Sequence, residues 1–419
     1  MLLSKEIEGR LSGNTMAKLS IRDLDLAHKH VLIRVDFNVP LSEEGNEITD
    51  DTRIRETLTT LEYALRHKAK LILASHLGRP KGRVTPKYSL RPVVDRLRML
   101  LDHHLGEQVN VAFAPDCVGE LASELARQLE SGQVLLLENL RFHPEEEAND
   151  PKFAEKLASL CEIYVDDAFG SAHRAHASTE GITHFVKQSA AGLLLEKELN
   201  YLGKALYEPA KPFVAILGGA KVSDKIEVIE NLLSKVDAIL IGGGMAYTFL
   251  KAKGQEVGKS LLEADKIDVA KEALAKAEAK GVRFLLPVDH VLADKFAANA
   301  KTQVFEGDGP FPAEWMALDI GPKTVELFKN EIADASTIVW NGPMGVFELP
   351  PFAVGTTKIA KAVAANQDAI SIVGGGDSVA AVRQAGVDEQ ITHISTGGGA
   401  SLEFLEGKKL PGVEALTEK

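Results

Sequence analysis

Short apolar runs rich in leucine, valine and isoleucine alternate along the chain with longer segments in which apolar residues recur at helical spacing. This alternation is typical of βαβ units and predicts parallel sheets covered by helices. The runs predict a first set of strands at 31–35, 71–75, 109–113, 134–137 and 163–165, and a second at 213–217, 238–241, 283–287, 337–340, 369–373 and 391–395. We therefore predict an α/β protein with two sheets.

A single amphipathic helix is predicted between the two sets, at 189–206, with Pro209 and Pro212 stopping it. The chain has 419 residues, more than one ordinary core holds. We predict two Rossmann-like lobes, each a parallel sheet flanked by helices, at 16–188 and 207–400, joined by this interdomain helix. Patterned sequence begins at Met16, so residues 1–15 are predicted to be an added extension without function.

Composition and charge narrow the classes of partner. The chain has 48 Lys plus Arg and 60 Asp plus Glu, a net charge of −12, which disfavours nucleic acid and anionic membranes. No stretch has the about 18 apolar residues of a membrane span, and the N-terminal segment lacks the apolar region of a signal peptide. Two cysteines, Cys117 and Cys161, are too few for a disulfide framework, so a cytoplasmic location is expected.

Glycine runs follow several strands of the second set, at 218–219, 242–244, 374–376 and 397–399. Ligands of open parallel sheets lie beyond the carboxyl ends of the strands, where glycine lets the backbone approach a phosphate. A single glycine run after a strand is explained more simply as a tight turn than as a phosphate-binding loop. Four such runs in one lobe favour nucleotide binding. The dinucleotide fingerprint fails at each triplet, because Tyr247, Val379 and Leu402 occupy the third glycine position. The segment 254–260 is one residue short of a Walker A loop and follows a helical pattern, which indicates a chance resemblance.

Lys221 and Lys225 are predicted to lie on one face at the start of a helix, where they would clamp a polyphosphate. The alternative is a pair of solvated lysines with Asp224 as a partner. Asp377 follows three glycines at another predicted helix start, and either caps that helix or contacts Mg²⁺ carried by a nucleotide.

The first set of strands is followed by arginines instead of glycines. Arg53, Arg79, Arg141 and Arg174, with His76, Asp36 and Asn38, are expected to converge and to bind a small phosphorylated acid that bears a hydroxyl. The alternative is that these arginines form surface ion pairs. For Arg53 this alternative is strong, because Asp50 and Asp51 lie beside it in the sequence. Metal binding by His173 and His176 is not expected, since no other ligand cluster accompanies them.

Taken together, these motifs resemble the phosphoglycerate kinase family, in order from about residue 17 to the C-terminus. The matching stretches are RVDFNVP at 34–40, DTRIR at 51–55, SHLGRP at 75–80, ENLRF at 138–142, DAFGSAHRAH at 167–176, LGGAKVSDK at 217–225, WNGPMGVFE at 340–348, GGGDS at 374–378 and STGGGAS at 395–401.

The resemblance implies a monomeric glycolytic enzyme with two substrate sites, and a segment at 401–419 that returns to the N-terminal lobe. The first lobe would bind 3-phosphoglycerate or 1,3-bisphosphoglycerate through Asp36, Phe37, Asn38, Arg53, His76, Leu77, Gly78, Arg79, Arg141 and Arg174. The second would bind ADP or ATP with Mg²⁺ through Gly219, Lys225, Gly243, Asn341, Pro343, Glu348, Gly374, Gly375, Gly376, Asp377 and Ser378. Asp377 would meet Mg²⁺, and catalysis would use Arg53, Lys221, Lys225, Gly375 and Gly398.

The implied reaction is phosphoryl transfer to a carboxyl group. Either nucleophile is already ionised at neutral pH, so no general base is expected, and catalysis would depend on in-line positioning and charge neutralisation. Hinge closure at 189–206 and the C-terminal tail is expected to bring the ligands together. Two rival classes, a solute-binding protein and a nicotinamide-dependent dehydrogenase, lack support: the first needs an export signal and the second the glycine fingerprint.

Overall fold

The structure is a computed structural model that describes residues 18–42 and 47–419. It divides into two compact units: the first ends at Asn200 and includes the C-terminal segment Lys409–Lys419, and the second is Tyr201–Lys408. The predicted extension at 1–15 lies outside the described residues.

Strands and helices alternate in both units. The strands are β1 (His30–Arg34), β2 (Lys70–Ala74), β3 (Val111–Ala114), β4 (Val134–Leu137), β5 (Ile163–Asp166), β6 (Ser189–Ala191), β7 (Phe213–Leu217), β8 (Ala238–Ile241), β9 (Arg283–Leu285), β10 (Asp289–Ala293), β11 (Thr302–Glu306), β12 (Met316–Ile320), β13 (Thr337–Asn341), β14 (Ile370–Gly374) and β15 (His393–Ile394).

The helices are α1 (Thr52–Arg66), α2 (Arg91–Leu105), α3 (Glu120–Gln128), α4 (Pro144–Glu147), α5 (Pro151–Ala158), α6 (Leu193–Tyr207), α7 (Ile226–Leu232), α8 (Met245–Ala252), α9 (Ile267–Ala279), α10 (Pro322–Ala333), α11 (Val354–Ala365), α12 (Gly376–Gln384), α13 (Gly399–Leu405) and α14 (Pro411–Glu414). Single 3₁₀ turns lie at Ile21–Asp23, Pro86–Tyr88, Leu140–Phe142, Phe169–Ser171, Gly181–His184, Ala264–Lys266, Pro350–Phe352 and Asp388–Gln390.

The first unit is built on a six-stranded parallel sheet with the order β3-β4-β2-β1-β5-β6. The chain leaves β1 towards β2 on one side and later reaches β5 on the other, so ligand-binding loops are expected beyond the carboxyl ends of these central strands. Apolar faces of α1 and α2 pack on the sheet, and Gly106 ends α2 in a left-handed conformation with φ of +73°. The C-terminal segment joins this unit, since Thr417 N–H donates to Ser189 O at 3.1 Å.

The second unit has its own six-stranded parallel sheet with the order β15-β14-β13-β7-β8-β9. Its core is a separate cluster centred on the fully buried Trp340 of β13 and the apolar faces of α10 and α11. A three-stranded antiparallel sheet with the order β11-β10-β12 is added to this unit.

Every predicted strand occurs, with ends within two residues of those predicted, because runs buried on both faces leave a clear apolar signature. Two predictions need correction. Residues 189–191 form β6 instead of the first turn of the interdomain helix, and α6 begins only at Leu193. The strands β10, β11 and β12 were not predicted: β11 is largely exposed and carries little apolar pattern. Among the described residues, no helix has the length and apolarity to cross a membrane.

Candidate active site

The loops after β1 and β2 are tied to each other at the carboxyl edge of the first sheet. Asn38 Oδ1 accepts a hydrogen bond from Gly78 N–H at 2.8 Å, and Phe37 N–H donates to Ser75 Oγ at 2.8 Å. Gly78 has φ of +61°, a conformation that glycine adopts without strain. The predicted substrate segments 36–38 and 76–79 are therefore brought together. The Phe37 side chain is fully buried in the core and Leu77 is nearly so, so contacts from these two residues would come from the backbone.

Arg53 projects from the first turn of α1 and forms an ion pair with Asp36. The neighbouring acid Asp51 is occupied by Arg55 at 2.8 Å and by Arg96. The local surface ion pair considered for Arg53 is therefore made by Arg55. Burial would raise the pKa of Asp36, but its interactions with His76, Arg53 and Arg34 together outweigh burial and lower this pKa.

His76 is held by Arg34, which is fully buried at the end of β1. The Arg34 Nη2 lies 3.0 Å from His76 Nδ1, and because guanidinium can only donate, Nδ1 accepts and Nε2 carries the ring proton. Burial, reinforced by the arginine charges, lowers the pKa of His76 well below its usual value, although Asp36 acts in the opposite direction. His76 is therefore a neutral imidazole with one N–H donor.

Behind His76 lies a buried polar network. Arg34 Nε donates to Ser178 Oγ at 2.9 Å, and Ser178 Oγ donates in turn to Glu146 Oε1 at 2.6 Å. Tyr164 adds a bond from its hydroxyl to Ser178 O at 2.7 Å. Since neither Arg34 nor Glu146 is exposed, this network fixes the orientation of the guanidinium that sets the tautomer of His76.

The remaining arginines of the first unit differ in exposure. Arg141 is buried, donates from Nη1 to Gly78 O at 2.9 Å and lies 3.5 Å from Glu147. Burial lowers the pKa of Arg141, and the nearby charges of Arg34 and Arg174 lower it further, while Glu147 opposes them. Arg79 and Arg174 are exposed at the same edge. The result is an edge with several positive charges and a neutral imidazole donor.

The second unit contains a cavity of about 450 Å³ at the carboxyl edge of its parallel sheet. Its lining is mainly glycine and apolar residues, with Glu348 and Asp377 as the acids: Gly219, Ala220, Gly243, Gly244, Tyr247, Lys259, Leu261, Phe296, Met316, Ala317, Leu318, Pro343, Gly345, Val346, Glu348 and Asp377. A cavity of this size with an apolar wall and a few polar groups is typical of a small-molecule site.

A smaller cavity of about 270 Å³ adjoins the first and shares Gly219, Ala220, Pro343 and Asp377 with it. It is the more polar of the two and is lined by Gly218, Gly219, Ala220, Lys221, Asp224, Lys225, Asn341, Gly342, Pro343, Gly375, Gly376, Asp377 and Ser378. Most of the predicted nucleotide-binding residues thus meet in two adjoining cavities. Gly374 and Gly398 belong to neither lining.

The two lysines lie in a turn before α7, because this helix begins only at Ile226. The predicted placement of both lysines on one face of a helix is therefore wrong, although both still line the smaller cavity. Lys225 donates to Asn341 Oδ1. Burial lowers the pKa of Lys225 from its usual value, with Asp224, Glu406 and Asp377 acting in the opposite direction.

Asp377 lies in the first turn of α12, whose cap is Gly375 with φ of +89° and no side-chain capping bond. The capping role considered for Asp377 is therefore wrong, and its carboxylate is part of both cavity walls.

The loop after β13 is held closely against the loop after β7. Trp340 Nε1 donates to Gly342 O at 2.7 Å, and Gly342 N–H donates to Ser378 Oγ at 2.6 Å. Gly342 has φ of +101°, and a Cβ atom there would collide with the backbone of Gly218. Both loops line the smaller cavity, through Gly218 and Gly342 among others.

Several contributors to these sites were not predicted from the sequence, among them Arg34 and a run of β12. Arg34 was not among the predicted site residues, since nothing in its local sequence reveals a hydrogen bond to a residue 42 positions away. Met316, Ala317 and Leu318 of β12 were missed with the antiparallel sheet, although the run from Met316 to Ile320 offers a weak alternating signal.

The chain is similar to known proteins along most of its length. The family model described as phosphoglycerate kinase matches residues 21–408. A phosphoglycerate kinase of Acidobacterium capsulatum is 82% identical over 404 residues, which cover 96% of this chain and 100% of that protein. One of Koribacter versatilis is 72% identical over 405 residues, with the same coverage. Two solved phosphoglycerate kinase structures are also similar, and each comparison covers 95% of this chain and 98% of the other. The structure from Coxiella burnetii has a TM-score of 0.85 at 43% identity, and that from Pyrococcus horikoshii 0.80 at 34%. The chain belongs to the phosphoglycerate kinase family.

Proposed function

We propose that the first unit binds the phosphoglycerate and the second binds ADP or ATP with Mg²⁺. As a member of its family the chain is a glycolytic phosphotransferase that moves a phosphoryl group reversibly from 1,3-bisphosphoglycerate to ADP, giving 3-phosphoglycerate and ATP. Family membership alone does not say which residues of this chain bind each ligand.

The pair of adjoining cavities in the second unit is the observation that carries the nucleotide assignment. The larger cavity, with Leu261, Phe296 and Met316 in its wall, suits an apolar base, and Glu348 at the same cavity can accept hydrogen bonds from ribose hydroxyls. The smaller cavity, with Lys221 and Lys225, suits the phosphates.

Mg²⁺ is the metal we assign to the nucleotide, with Asp377 as its protein ligand. The fit rests on position and chemistry: the carboxylate lines both cavities, and Mg²⁺ in kinases is held by one or two carboxylates together with phosphate oxygens and water. When bound, the ion neutralises negative charge on the phosphates. The other residues of the cavity would orient the nucleotide.

The phosphoglycerate assignment rests on the charge of the first unit's edge. Arg53, Arg79, Arg141 and Arg174 supply positive charge for a phosphate and a carboxylate, and the Nε2–H of His76 supplies a neutral donor. The two loops that carry Asn38 and Gly78 are fixed to each other by a hydrogen bond, so this edge is ordered before the ligand arrives.

No residue is required as a general base, because the attacking oxygen is a carboxylate in one direction and a phosphate in the other. We propose that Arg53, Lys221 and Lys225, with backbone amides near Gly375 and Gly398, stabilise charge on the transferred phosphoryl group. Electrostatic stabilisation of this kind works only when the donors and reactants are aligned, so the two ligands must approach to about 3 to 3.5 Å.

This distance requirement leads us to propose ligand-dependent closure, with α6 and the C-terminal segment as hinge elements. Small-angle scattering with 3-phosphoglycerate and a nucleotide together should give a smaller radius of gyration than either ligand alone. An unchanged radius would contradict closure. We further propose a cytoplasmic monomer, which light scattering can test at micromolar concentration.

The assignment of Arg53 has a matched control on the same helix. Arg53→Ala should lower kcat by about 10²- to 10³-fold, the usual cost of removing one charge-stabilising donor, in a coupled assay of ATP formation from 1,3-bisphosphoglycerate and ADP. Arg55, two positions after Arg53, is exposed and pairs with Asp51, so Arg55→Ala should leave kcat near that of the unsubstituted enzyme. Equal effects of the two substitutions would refute the role of Arg53.

A further inference from the structure

A cluster of three possible metal ligands lies at the carboxyl edge of the first sheet, outside both proposed substrate sites. Asp116 and Cys117 follow β3, and His143 follows the turn Leu140–Phe142 after the adjacent strand β4. One carboxylate oxygen, the Cys117 sulfur and one imidazole nitrogen all lie within 4.8 Å of one another. Because β3 and β4 are parallel neighbours, their carboxyl ends bring these three side chains together.

The cluster is already organised by hydrogen bonds. His143 Nε2 lies 2.7 Å from Asp116 Oδ1, and the Cys117 N–H donates to the same oxygen at 2.7 Å. The imidazole also packs against the ring of Phe153, with 5.2 Å between ring centroids. The carboxylate and the imidazole are therefore held in defined orientations, which reduces the entropy cost of binding an ion.

Access and charge both favour a cation. Asp116 and His143 are partly exposed, so an ion can enter from solvent, whereas the Cys117 side chain is fully buried. The carboxyl groups of Asp116 and Glu146 lie near the Cys117 thiol, and their negative charge attracts a divalent cation.

We propose that Asp116, Cys117 and His143 form a binding site for Zn²⁺, with water in the fourth position. Thiolate, imidazole and carboxylate together suit zinc, whereas Mg²⁺ and Ca²⁺ take oxygen ligands. Ligand atoms of tetrahedral zinc lie about 3.2 to 3.6 Å apart, so the nitrogen and oxygen must separate slightly and the sulfur must move inward. Side-chain rotations that displace these ligand atoms by a few tenths of an ångström to about one ångström would bring them to tetrahedral spacing.

The site has a consequence for its neighbour. His143 is two residues after Arg141, which lies at the proposed phosphoglycerate surface and contacts Gly78. An ion on His143 restrains the segment that carries Arg141. The proposed zinc site involves only Asp116, Cys117 and His143, so it does not depend on the proposed substrate assignments.

The test uses Co²⁺ as a spectroscopic substitute for Zn²⁺ on the reduced, metal-free full chain. One equivalent of Co²⁺ should produce a sulfur-to-cobalt charge-transfer band in the near ultraviolet, and Zn²⁺ should displace it. Co²⁺ at a nucleotide site has no thiolate ligand and gives no such band. The chain provides a matched control, because Cys161→Ser should keep the band and Cys117→Ser should abolish it.

His143→Gln keeps the buried thiol in place and removes a partly exposed ligand, so it guards against a failure of Cys117→Ser to fold. Loss of a residue that only hydrogen-bonds to a metal ligand typically weakens binding by about 10- to 100-fold. Because His143 is proposed to be a direct ligand, His143→Gln should weaken Zn²⁺ binding by more than this, as measured by calorimetry. Absence of the charge-transfer band in the unsubstituted chain, its persistence in Cys117→Ser, or unchanged Zn²⁺ affinity in His143→Gln would each overturn the proposal.

Discussion

His76 offers a test that separates substrate binding from stability. Its Nδ1 accepts from the buried Arg34, and its Nε2–H is left as a donor at the proposed phosphoglycerate surface. His76→Asn retains an acceptor near the position of Nδ1 but has no group at Nε2. His76→Gln retains a donor near Nε2 but presents no acceptor at the position of Nδ1. The two substitutions therefore remove opposite halves of the imidazole.

A hydrogen bond to a charged ligand is worth about 1.5 to 3 kcal/mol, so His76→Asn should raise the KM for 3-phosphoglycerate by about 10- to 150-fold. His76→Gln should raise it much less. The order reverses for stability: His76→Gln leaves the buried Nη2 of Arg34 without its acceptor, which should cost about 1 to 3 kcal/mol in urea unfolding, and His76→Asn should cost less.

The pH dependence is a second readout. Because burial and the surrounding arginines hold the pKa of His76 well below its usual value, the imidazole stays neutral through the physiological range. The substrate phosphate itself titrates near pH 6, so the informative quantity is the ratio of the KM of His76→Gln to that of the unsubstituted enzyme. This ratio should be constant between about pH 6 and pH 8. A ratio that follows a group titrating in this window, or a larger KM for His76→Gln than for His76→Asn, would refute the reasoning.

Four further predictions concern the second unit and the N-terminus. Lys225→Met should lower kcat by about 10²- to 10³-fold, whereas the exposed Lys253→Met should not, in the coupled assay; equal rates would exclude Lys225 from catalysis. Chelation of divalent ions should abolish turnover and Mg²⁺ should restore it, with Asp377→Asn needing a higher Mg²⁺ concentration; an unchanged requirement would remove Asp377 as the ligand. Burial raises the pKa of Asp319 to about 7, so the folded chain keeps a proton that the unfolded chain releases above about pH 4. The free energy of unfolding, relative to that of Asp319→Asn, should then fall by up to about 1.4 kcal/mol per pH unit towards pH 7 and be constant above it; a difference that does not vary with pH would contradict the raised pKa. A chain that begins at Met16 should keep full activity, and a loss would assign a role to residues 1–15.

The parallel sheets could be predicted because their strands are buried on both faces, as in β7, whose sequence is entirely apolar. The glycine loops and arginines could be placed at strand ends for the same reason. The antiparallel sheet could not, since an exposed strand such as β11 resembles a loop in its polarity. The position of Lys221 and Lys225 was misjudged because four-residue spacing is equally compatible with a turn, and here Lys225 N–H closes a turn by donating to Val222 O at 2.9 Å.

The bond between Arg34 and His76 shows a different limit. A buried charge is costly unless it is satisfied, and besides the Val35 carbonyl the partners of Arg34 are Ser178 and His76, which come from two other strand-end loops. The sequence near Arg34 indicates only the polar end of a strand. The order of strands in the folded sheet is needed to show that Arg34 sets the tautomer of His76.

The small antiparallel sheet has a consequence for how the nucleotide site can change over evolution. Its strand β12 supplies Met316, Ala317 and Leu318 to the wall of the larger cavity, whereas the lysines and glycines of the smaller cavity belong to loops of the parallel sheet. The part of the proposed site that would select the base therefore draws on a second sheet, in addition to the loops that it shares with the part that would handle the phosphates. In the proposed assignment, substitutions in β12 would alter base preference without changing the lysines and glycines of the smaller cavity, so selectivity and rate would be separable.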